Sequence, residues 1–334
     1  MRPAKIGIYL SKPKYLLCSM HLKIGKDLEL CYRLLVEGIP VAIPTETVYG
    51  LAANAFDENA VSKVFEIKNR PKFDPLIVHC ATVGDVKGVG KNIPQELLDL
   101  AIEFWPGPLT IVVDKSEEIP DIVTAGLDTV AVRIPNHPLT LDLLYGLYFP
   151  LAAPSANPFT YVSPTSAFHV LDQLGDEIEY ILDGDECEVG LESTIIRMKN
   201  DQIEVMRLGG ISTEDLQAKT KLNVVLLHDV DREKMPGSHK KHYSNNKKIE
   251  LLPNGSDTPE LDKKEAAITF KKSKSGDNIY ALSENGDINE AAKNLFRTLR
   301  MLDIQEITKV FIELAPETGL GPAINERLKR AAAV

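Results

Sequence analysis

The sequence has few cysteines and no long apolar run, the features that mark zinc-binding, disulfide-rich and membrane-spanning proteins. It contains only four cysteines among 334 residues, and these form neither a CxxC pair nor a tight cluster. A structural zinc site and a disulfide framework are therefore not expected, and a reducing cytoplasm fits best. No apolar run is long enough to span a bilayer, so we expect no membrane association.

Signatures of common catalytic machineries are also missing. The chain has no GxxxxGK[ST] segment, which excludes a P-loop, and no GxSxG elbow or HExxH motif. No Ser-His-Asp ordering or paired-carboxylate pattern stands out. The sequence therefore offers no candidate for a catalytic nucleophile.

What is present is an ordinary globular composition, with 44% hydrophobic and 26% charged residues. The length of 334 residues exceeds the size at which one core usually stops growing, so two domains are expected. The formal net charge is -10. Such a chain is not a general nucleic-acid coat, although a local basic patch remains compatible with it.

The composition along the chain predicts four segments. Residues 1–19 are basic and lack a long apolar region, which argues against a signal peptide and predicts an extension that is disordered or precedes a start at Met20. Residues 20–228 form the larger domain. Residues 229–247 are rich in charge, histidine and asparagine and are interpreted as a linker, and residues 248–334 form a smaller domain.

Apolar periodicity predicts strands and helices that interleave along both domains. The predicted helices are Lys26–Glu37, Asn59–Lys68, Gln95–Phe104, Leu139–Leu147, Ile288–Met301 and Pro322–Ala333. The predicted strands are Val41–Pro44, Leu76–His79, Leu109–Val113, Val130–Ile134, Leu151–Ala153, Ile249–Leu252, Ala266–Phe270 and Lys309–Leu314. This order is typical of α/β domains with a mostly open sheet.

Two polar segments follow predicted elements in the larger domain. Pro44–Gly50 comes after a strand, where open α/β sheets bind ligands, and its threonine hydroxyls suit a small polar ligand. A turn with capping threonines explains them equally well. Lys68–Lys72 places cations at the end of a helix, which is either a phosphate clamp or a solvated helix terminus.

Single residues on strands add to this picture. Arg133 lies in an apolar strand, where burial is costly unless the guanidinium meets an anion, so it is a candidate for binding a carboxylate. His79 ends a strand and is more often structural than catalytic in such a place. The polar turns Ala153–Asn157, Ser163–Ser166 and Gly190–Ile195 either cradle phosphate oxygens or are ordinary turns. These residues predict a small anionic ligand but no reaction.

Taken together and in order, the segments closely resemble the YrdC-like threonylcarbamoyl-AMP synthase family. The resemblance rests on Ile43–Leu51, Lys68–Pro71, Pro75–His79, Trp105–Thr110, Val132–Pro135, Ala153–Asn157, Gly190–Ile195 and Arg207–Gly209. In the family's two-domain form, Pro236–Gly237 and His242–Tyr243 resemble the linker, and Leu282–Asp287 and Gly319–Ile324 resemble the small domain. The resemblance covers about Leu22 to Ala333.

The resemblance implies a twisted, open α/β sheet with a concave basic cavity, and a smaller, Rossmann-like C-terminal α/β domain. It implies that the threonine side is lined by Thr47, His79, Arg133, Ala153 and Ser193. It implies that the ATP side is lined by Lys68, Arg70, Asp74, Thr129, Ser155, Ser163, Arg207 and Tyr243. The chain departs from the family pattern at Ser244–Asn245, where Ala-Pro is usual, and at Asp74, where many relatives have Asn.

The implied activity condenses L-threonine, bicarbonate or carbon dioxide and ATP into threonylcarbamoyl-AMP with release of pyrophosphate, the first step of tRNA threonylcarbamoyladenosine modification. Mg²⁺ would enter with ATP, with no zinc or organic cofactor. A tRNA threonylcarbamoyltransferase would act downstream, and weak tRNA binding is left open. One alternative is a non-catalytic module that binds double-stranded RNA or tRNA. A second is a carbamoyl-transferring maturation factor, but the sequence lacks the zinc-finger cysteines expected of one.

Overall fold

The computed structural model describes residues 23–227, 247–272 and 276–333. The predicted N-terminal extension and nearly all of the predicted linker, including Tyr243, lie outside the described residues. The division of the chain into four segments therefore stays a prediction.

The larger domain is built on one sheet of twelve strands. They are β1 (Ile24–Gly25), β2 (Val41–Ile43), β3 (Gly50–Asn54), β4 (Ile77–His79), β5 (Gly90–Lys91), β6 (Leu109–Lys115), β7 (Thr129–Arg133), β8 (Leu151–Ala152), β9 (Ile181–Leu182), β10 (Thr194–Lys199), β11 (Gln202–Arg207) and β12 (Asn223–Leu226). Their order is β1-β9-β2-β3-β8-β4-β7-β6-β10-β11-β12, and β5 pairs with β6 beside this path. The sheet contains both parallel and antiparallel pairs, so it is mixed.

Helices connect and cover these strands. They are α1 (Leu28–Val36), α2 (Glu58–Lys68), α3 (Val83–Val89), α4 (Gln95–Phe104), α5 (Asp121–Thr124), α6 (Pro138–Gly146), α7 (Ala167–Leu174) and α8 (Thr213–Lys219). Local chemistry sets the ends of α2. The Asp57 side chain accepts hydrogen bonds from the first-turn amides, and Asn69 takes a left-handed conformation with φ of 50° that ends the helix.

The centre of the sheet brings two predicted site residues side by side. In the parallel pair of β4 and β7, His79 is the register partner of Arg133. Both residues end their strands, and the strand interiors beside them, such as Val78 and Val132, are fully buried. Because parallel strands end at the same edge of a sheet, this register places His79 and Arg133 together at that edge.

The smaller domain is a four-stranded parallel sheet with two helices. Its elements are β13 (Lys248–Leu252), β14 (Glu265–Lys271), β15 (Ile279–Ser283), α9 (Ile288–Asp303), β16 (Lys309–Glu313) and α10 (Gly321–Ala332), with strand order β13-β16-β14-β15. At the carboxyl end of β16, the Glu313 carboxylate accepts hydrogen bonds from the amides of Gly255 at 2.8 Å and Phe270 at 2.9 Å. The Rossmann-like arrangement predicted from the sequence is confirmed.

The two domains pack tightly against each other. One contiguous cluster of buried apolar side chains includes Leu191 of the larger domain and Leu295 and Leu328 of the smaller one. Gly190 lies at this contact with φ of 72°, and a Cβ there would lie 2.5 Å from the Lys293 Cα. Only glycine therefore allows α9 to approach the loop that precedes β10.

Within the described ranges, no helix combines the length and apolar character needed to cross a membrane. Over the same residues, no three metal-ligating side chains of histidine, cysteine, aspartate or glutamate cluster together.

Candidate functional site

A cavity opens at the edge of the sheet where β4 and β7 end. It contains about 620 Å³ of empty space, part of which is open solvent at its mouth. Its walls are formed by Thr45, Thr47, Val48, Gly50, Arg70, Pro75, Leu76, Ile77, His79, Arg133, Ala153, Pro154, Ser155, Glu192, Ser193 and Arg207. All five residues predicted for the threonine side, and Arg70, Ser155 and Arg207 of the ATP side, therefore meet at one cavity.

Arg133 is held by three contacts from the polar loops around it. Its Nη2 lies 2.6 Å from the Glu46 carboxylate, its Nη1 donates to Thr47 Oγ1 at 2.9 Å, and its Nε donates to the Gly107 carbonyl at 3.1 Å. The side chains of Arg133 and Glu46 are only 4% and 5% exposed. The strand arginine thus meets an anion of the protein itself, which explains how its burial is tolerated.

The Pro44–Gly50 segment is both a capped turn and a wall of the cavity. The Thr45 Oγ1 donates to the Val48 carbonyl at 2.6 Å and accepts from the Thr47 and Val48 amides at 3.2 Å. It also lies 2.8 Å from Thr47 Oγ1. The two interpretations of this segment are therefore compatible, because Thr45 closes the turn and so fixes Thr47 beside Arg133.

His79 is buried in the cavity wall and stays neutral. Burial first, and the neighbouring Arg133 second, lower the pKa of His79 to about 3. Its Nδ1 is buried, and over the described part of the chain it has no hydrogen-bond partner. A neutral imidazole with an unused nitrogen is suited to hydrogen bonding with a ligand.

Arg70 is aimed into the cavity by the loop that follows α2. Its Nε donates to the Asp74 carbonyl at 3.2 Å, its Nη2 donates to the Pro75 carbonyl at 3.0 Å, and the same Nη2 lies 3.0 Å from the Asp74 carboxylate. Asp74 itself lies behind the cavity wall. Its side chain therefore acts on Arg70, and its place on the ATP side stays a prediction.

Lys68 lies at the end of α2 and is almost fully buried. Its ammonium donates to the backbone carbonyls of Ser155 and Asn157, and it is not part of the cavity wall. Burial, followed by the nearby Arg70, lowers the pKa of Lys68 well below its usual value. The structure gives Lys68 the role of holding the loop that carries Ser155, while direct contact with phosphates stays a prediction.

The opposite wall is formed by a network around Ser193. Arg207 Nη2 donates to the Ser193 carbonyl at 2.8 Å and to Ser193 Oγ at 3.1 Å. The Thr110 hydroxyl lies 2.7 Å from the same Oγ. Gly209 makes this possible, since a Cβ there would lie 2.3 Å from the Glu192 carbonyl. Ser193 and Arg207 are thus fixed relative to each other at the cavity.

Besides Lys68 and Asp74, two more of the described residues predicted for the ATP side, Thr129 and Ser163, are not part of the cavity wall. Ser163 Oγ donates to Glu192 Oε1 at 2.7 Å from behind the wall. Thr129 begins β7 while Arg133 ends it, which separates them by roughly 13 Å at the usual rise per residue. Tyr243 lies outside the described residues. Their contacts with ATP stay predictions.

The sequence reasoning missed two carboxylates at the site. Glu46 pairs with Arg133, and Glu192 forms part of the cavity wall. Both lie inside segments that were singled out for their hydroxyl groups. A search for cations that bind anions overlooks acidic residues, because only the folded chain shows that they hold those cations in place.

Comparison with known proteins gives consistent relationships for both domains. A Sua5/YciO/YrdC family model described as "Telomere recombination" matches residues 33–209, and a model described as "Threonylcarbamoyl-AMP synthase, C-terminal domain" matches residues 202–333. The threonylcarbamoyl-AMP synthase of Pyrococcus abyssi is 39% identical over 88% of this chain and 91% of the relative. That of Schizosaccharomyces pombe is 38% identical over 88% and 85%.

A solved structure extends the similarity to three dimensions. The crystal structure of P. abyssi Sua5 complexed with L-threonine superposes with a TM-score of 0.83 at 36% identity. The match covers 93% of this chain and 97% of that chain, so both domains correspond.

Proposed function

The chain belongs to the threonylcarbamoyl-AMP synthase family, and from this premise we propose how its cavity carries out the reaction. The enzyme makes threonylcarbamoyl-AMP from L-threonine, bicarbonate or carbon dioxide and ATP, and it releases pyrophosphate. This is the first step of tRNA threonylcarbamoyladenosine modification. The YrdC-like sheet supplies the cavity, as the resemblance in the sequence predicts.

One observation carries the proposal: Arg70, Arg133 and Arg207 from three separate segments line a single cavity. The reaction brings together a triphosphate, a carbamate and an amino-acid carboxylate. Two unit charges about 4 Å apart interact by roughly 4 kcal/mol at an effective dielectric near 20. Fixed cations, with Mg²⁺ that arrives with ATP, offset this repulsion and hold the reactants together.

The threonine end of the cavity is assigned to Thr47, His79, Arg133, Ala153 and Ser193. Arg133 uses three of its donors on Glu46, Thr47 and Gly107, and a guanidinium has about five N–H groups in all. The remaining donors suit the threonine carboxylate or its carbamate. The neutral His79 suits a hydrogen bond to the polar end of the amino acid.

The nucleotide end is assigned to Arg70, Ser155 and Arg207 at the wall. Lys68 and Asp74 support it from behind through the Ser155 loop and through Arg70. Thr129, Ser163 and Tyr243 complete the assignment by resemblance. The phosphates thus meet arginines whose positions are set by carbonyls and a carboxylate before ATP binds, which lowers the cost of ordering the site.

The chemistry needs positioning more than a protein nucleophile. The threonine nitrogen bonds to the carbon of carbon dioxide and loses a proton, which gives a carbamate. A carbamate oxygen then attacks the α-phosphorus of ATP, the bond to the β-phosphate oxygen breaks, and pyrophosphate leaves with its electron pair. Arginines around the phosphates stabilise the charge that develops in this transfer.

The test is to follow carbon and phosphate together. With ATP, Mg²⁺, L-threonine and ¹³C-bicarbonate, we expect pyrophosphate release and one labelled carbon in an AMP adduct detected by mass spectrometry. Omission of threonine should abolish both. Pyrophosphate release without threonine, or an unlabelled product, would contradict the proposal. Salt-sensitive tRNA binding without any such release would instead favour the non-catalytic RNA-binding module.

We place the later steps outside this chain. A tRNA threonylcarbamoyltransferase would consume the labile mixed anhydride. Weak tRNA binding by this chain would bring it to the same tRNA as that transferase. A cytoplasmic location fits the described cysteines Cys31, Cys80 and Cys187, which are buried free thiols.

A further inference from the structure

Two arginines of the smaller domain reach the back of the cavity wall. Arg327 projects from α10 and Arg300 from α9. Arg327 contacts Glu192, which is part of the cavity wall, and Arg300 contacts Ser163, which is hydrogen-bonded to Glu192. The smaller domain therefore touches the functional site of its neighbour directly.

Arg327 forms a buried ion pair with the carboxylate of Glu192. Its Nε and Nη2 donate to Glu192 Oε2 at 3.2 Å and 3.1 Å, and its Nη1 donates to the Ala323 carbonyl at 3.3 Å. The Arg327 side chain is only 2% exposed. Glu192 belongs to the cavity wall, so a charge of the smaller domain compensates a charge of the site.

The other oxygen of the same carboxylate continues the chain of contacts. Glu192 Oε1 accepts the hydrogen bond of the Ser163 hydroxyl at 2.7 Å. Arg300 Nε donates to the Ser163 carbonyl at 3.3 Å, and Arg300 Nη2 donates to the Val162 carbonyl and to Gln173 Oε1. Residues of the smaller domain thus hold the Ser163 segment from two sides.

We propose that Arg327 is a positioning residue for threonylcarbamoyl-AMP synthesis, which balances the charge of Glu192 in the cavity wall and fixes Glu192 against the Ser163 segment behind it. This inference rests on the proposed function. A carboxylate in the wall of a cavity that receives a triphosphate repels its ligand unless a fixed cation faces it. The smaller domain supplies that cation, so it is part of the catalytic architecture.

The decisive experiment is a charge-compensation cycle in the full-length protein. In Arg327→Met, Glu192 loses its ion pair with Arg327, so we expect the KM for ATP to rise by at least about 30-fold, which corresponds to about 2 kcal/mol of binding free energy. The double variant Arg327→Met/Glu192→Gln removes the Glu192 charge as well. We expect it to regain most of the ATP affinity, with a smaller change in the KM for threonine throughout.

A matched control comes from the same interface. Arg297, also on α9, pairs with Glu186 at 3.5 Å, and both side chains are more than half exposed. Arg297→Gln should leave the kinetic constants and nucleotide affinity unchanged, since exposed pairs contribute little. If Arg297→Gln lost as much nucleotide affinity as Arg327→Met, any contact between the domains would have the same effect. That result would overturn the specific role of Arg327.

Two further measurements separate a wrong role for Arg327 from a misfolded variant and from a wrong proposed function. Binding of a non-hydrolysable ATP analogue, measured by calorimetry, needs no turnover, so it tests Arg327 even if no product forms. If Arg327→Met does not fold, Arg327→Lys keeps the charge without the planar fork and should show an intermediate loss of nucleotide affinity. Normal affinity in either variant, or a double variant no better than the single one, overturns the proposal.

Discussion

Arg133 and Glu46 form an ion pair of 2.6 Å in the floor of the cavity, with both side chains nearly inaccessible to solvent. Glu46 also accepts the Asn136 amide at 3.0 Å, so the carboxylate is itself held in place. The guanidinium of Arg133 is therefore fixed in place before substrate binds. It is a donor with a set orientation, whose charge is partly balanced before threonine arrives.

Stability and activity should separate at this pair. Arg133→Met strands a buried carboxylate, so we expect the free energy of unfolding to fall by about 3–5 kcal/mol. Arg133→Met/Glu46→Gln should recover most of that loss, because both charges are then gone. Urea denaturation followed by circular dichroism measures the difference.

The same double variant tests the threonine assignment. We expect threonine-dependent pyrophosphate release to stay at least about 100-fold below that of the wild type, because binding and orientation of the carboxylate are lost. A double variant with restored stability and near-normal activity would refute the role assigned to Arg133.

The buried His79 should make stability depend on pH. The unfolded chain protonates this histidine below its ordinary pKa of 6.5, whereas burial lowers the folded pKa to about 3. Between these values the unfolded state binds the extra proton, so stability is lost as pH falls below 6.5, at up to about 1.4 kcal/mol per pH unit.

A His79→Gln variant isolates this contribution. From pH 7.5 to 5.5 its free energy of unfolding should drop by about 1.4 kcal/mol less than that of the wild type. Other titrating groups cancel in the comparison, including His169, whose pKa burial lowers to about 4. Equal drops in the two proteins would show that His79 is protonated in the folded state.

Substrate analogues should report on the threonine end. Valine lacks the hydroxyl and would leave polar groups of the cavity unpaired, so we expect its kcat/KM to fall at least about 1,000-fold below that of threonine. Serine keeps the hydroxyl and loses one methyl group, which should cost about 10–100-fold. Pyrophosphate release at saturating ATP gives both ratios, and a valine rate similar to that of serine would mean that the hydroxyl is not recognised.

Lys68 should act through the loop that it holds. Lys68→Met leaves the carbonyls of Ser155 and Asn157 without their donor, so we expect a loss of about 1–3 kcal/mol in the free energy of unfolding. If Lys68 acts only by holding this loop, Lys68→Met should change both kcat and the KM for ATP. A variant that loosens the same loop by another route, such as Asn157→Gly, should then lose a similar amount of activity for a similar loss in the free energy of unfolding. An unchanged stability with a large rise in the KM for ATP would instead support direct phosphate contact.

The elements that were predicted well from the sequence have strong local signals. The helix at Glu58–Lys68 has an aspartate cap and a clear apolar face, and β4 and β7 are continuous apolar runs. The strand β3 was missed because Gly50–Asn54 contains no β-branched or aromatic side chain. The two-residue strands β1 and β9 are too short for a periodic pattern, and they are defined by the pairing of β9 with β1 on one side and β2 on the other.

The sequence identified the basic residues of the site but missed its carboxylates, and the difference has a physical reason. Arg133 was predicted because burial of an arginine in an apolar strand requires an anion, whereas His79 was assigned to the site by the resemblance alone. The carboxylates Glu46 and Glu192 depend on contacts between segments far apart in the chain, up to the 135 residues between Glu192 and Arg327. No local pattern encodes such a contact, so a single sequence does not reveal it.

The Glu313 carboxylate fills the carboxyl end of the parallel sheet in the smaller domain. It occupies the place at the end of a parallel sheet where related folds receive an anionic ligand, and it takes up two backbone amides there. The smaller domain thus satisfies these two amides with its own carboxylate, and it reaches the cavity wall of the larger domain through Arg327 on its last helix.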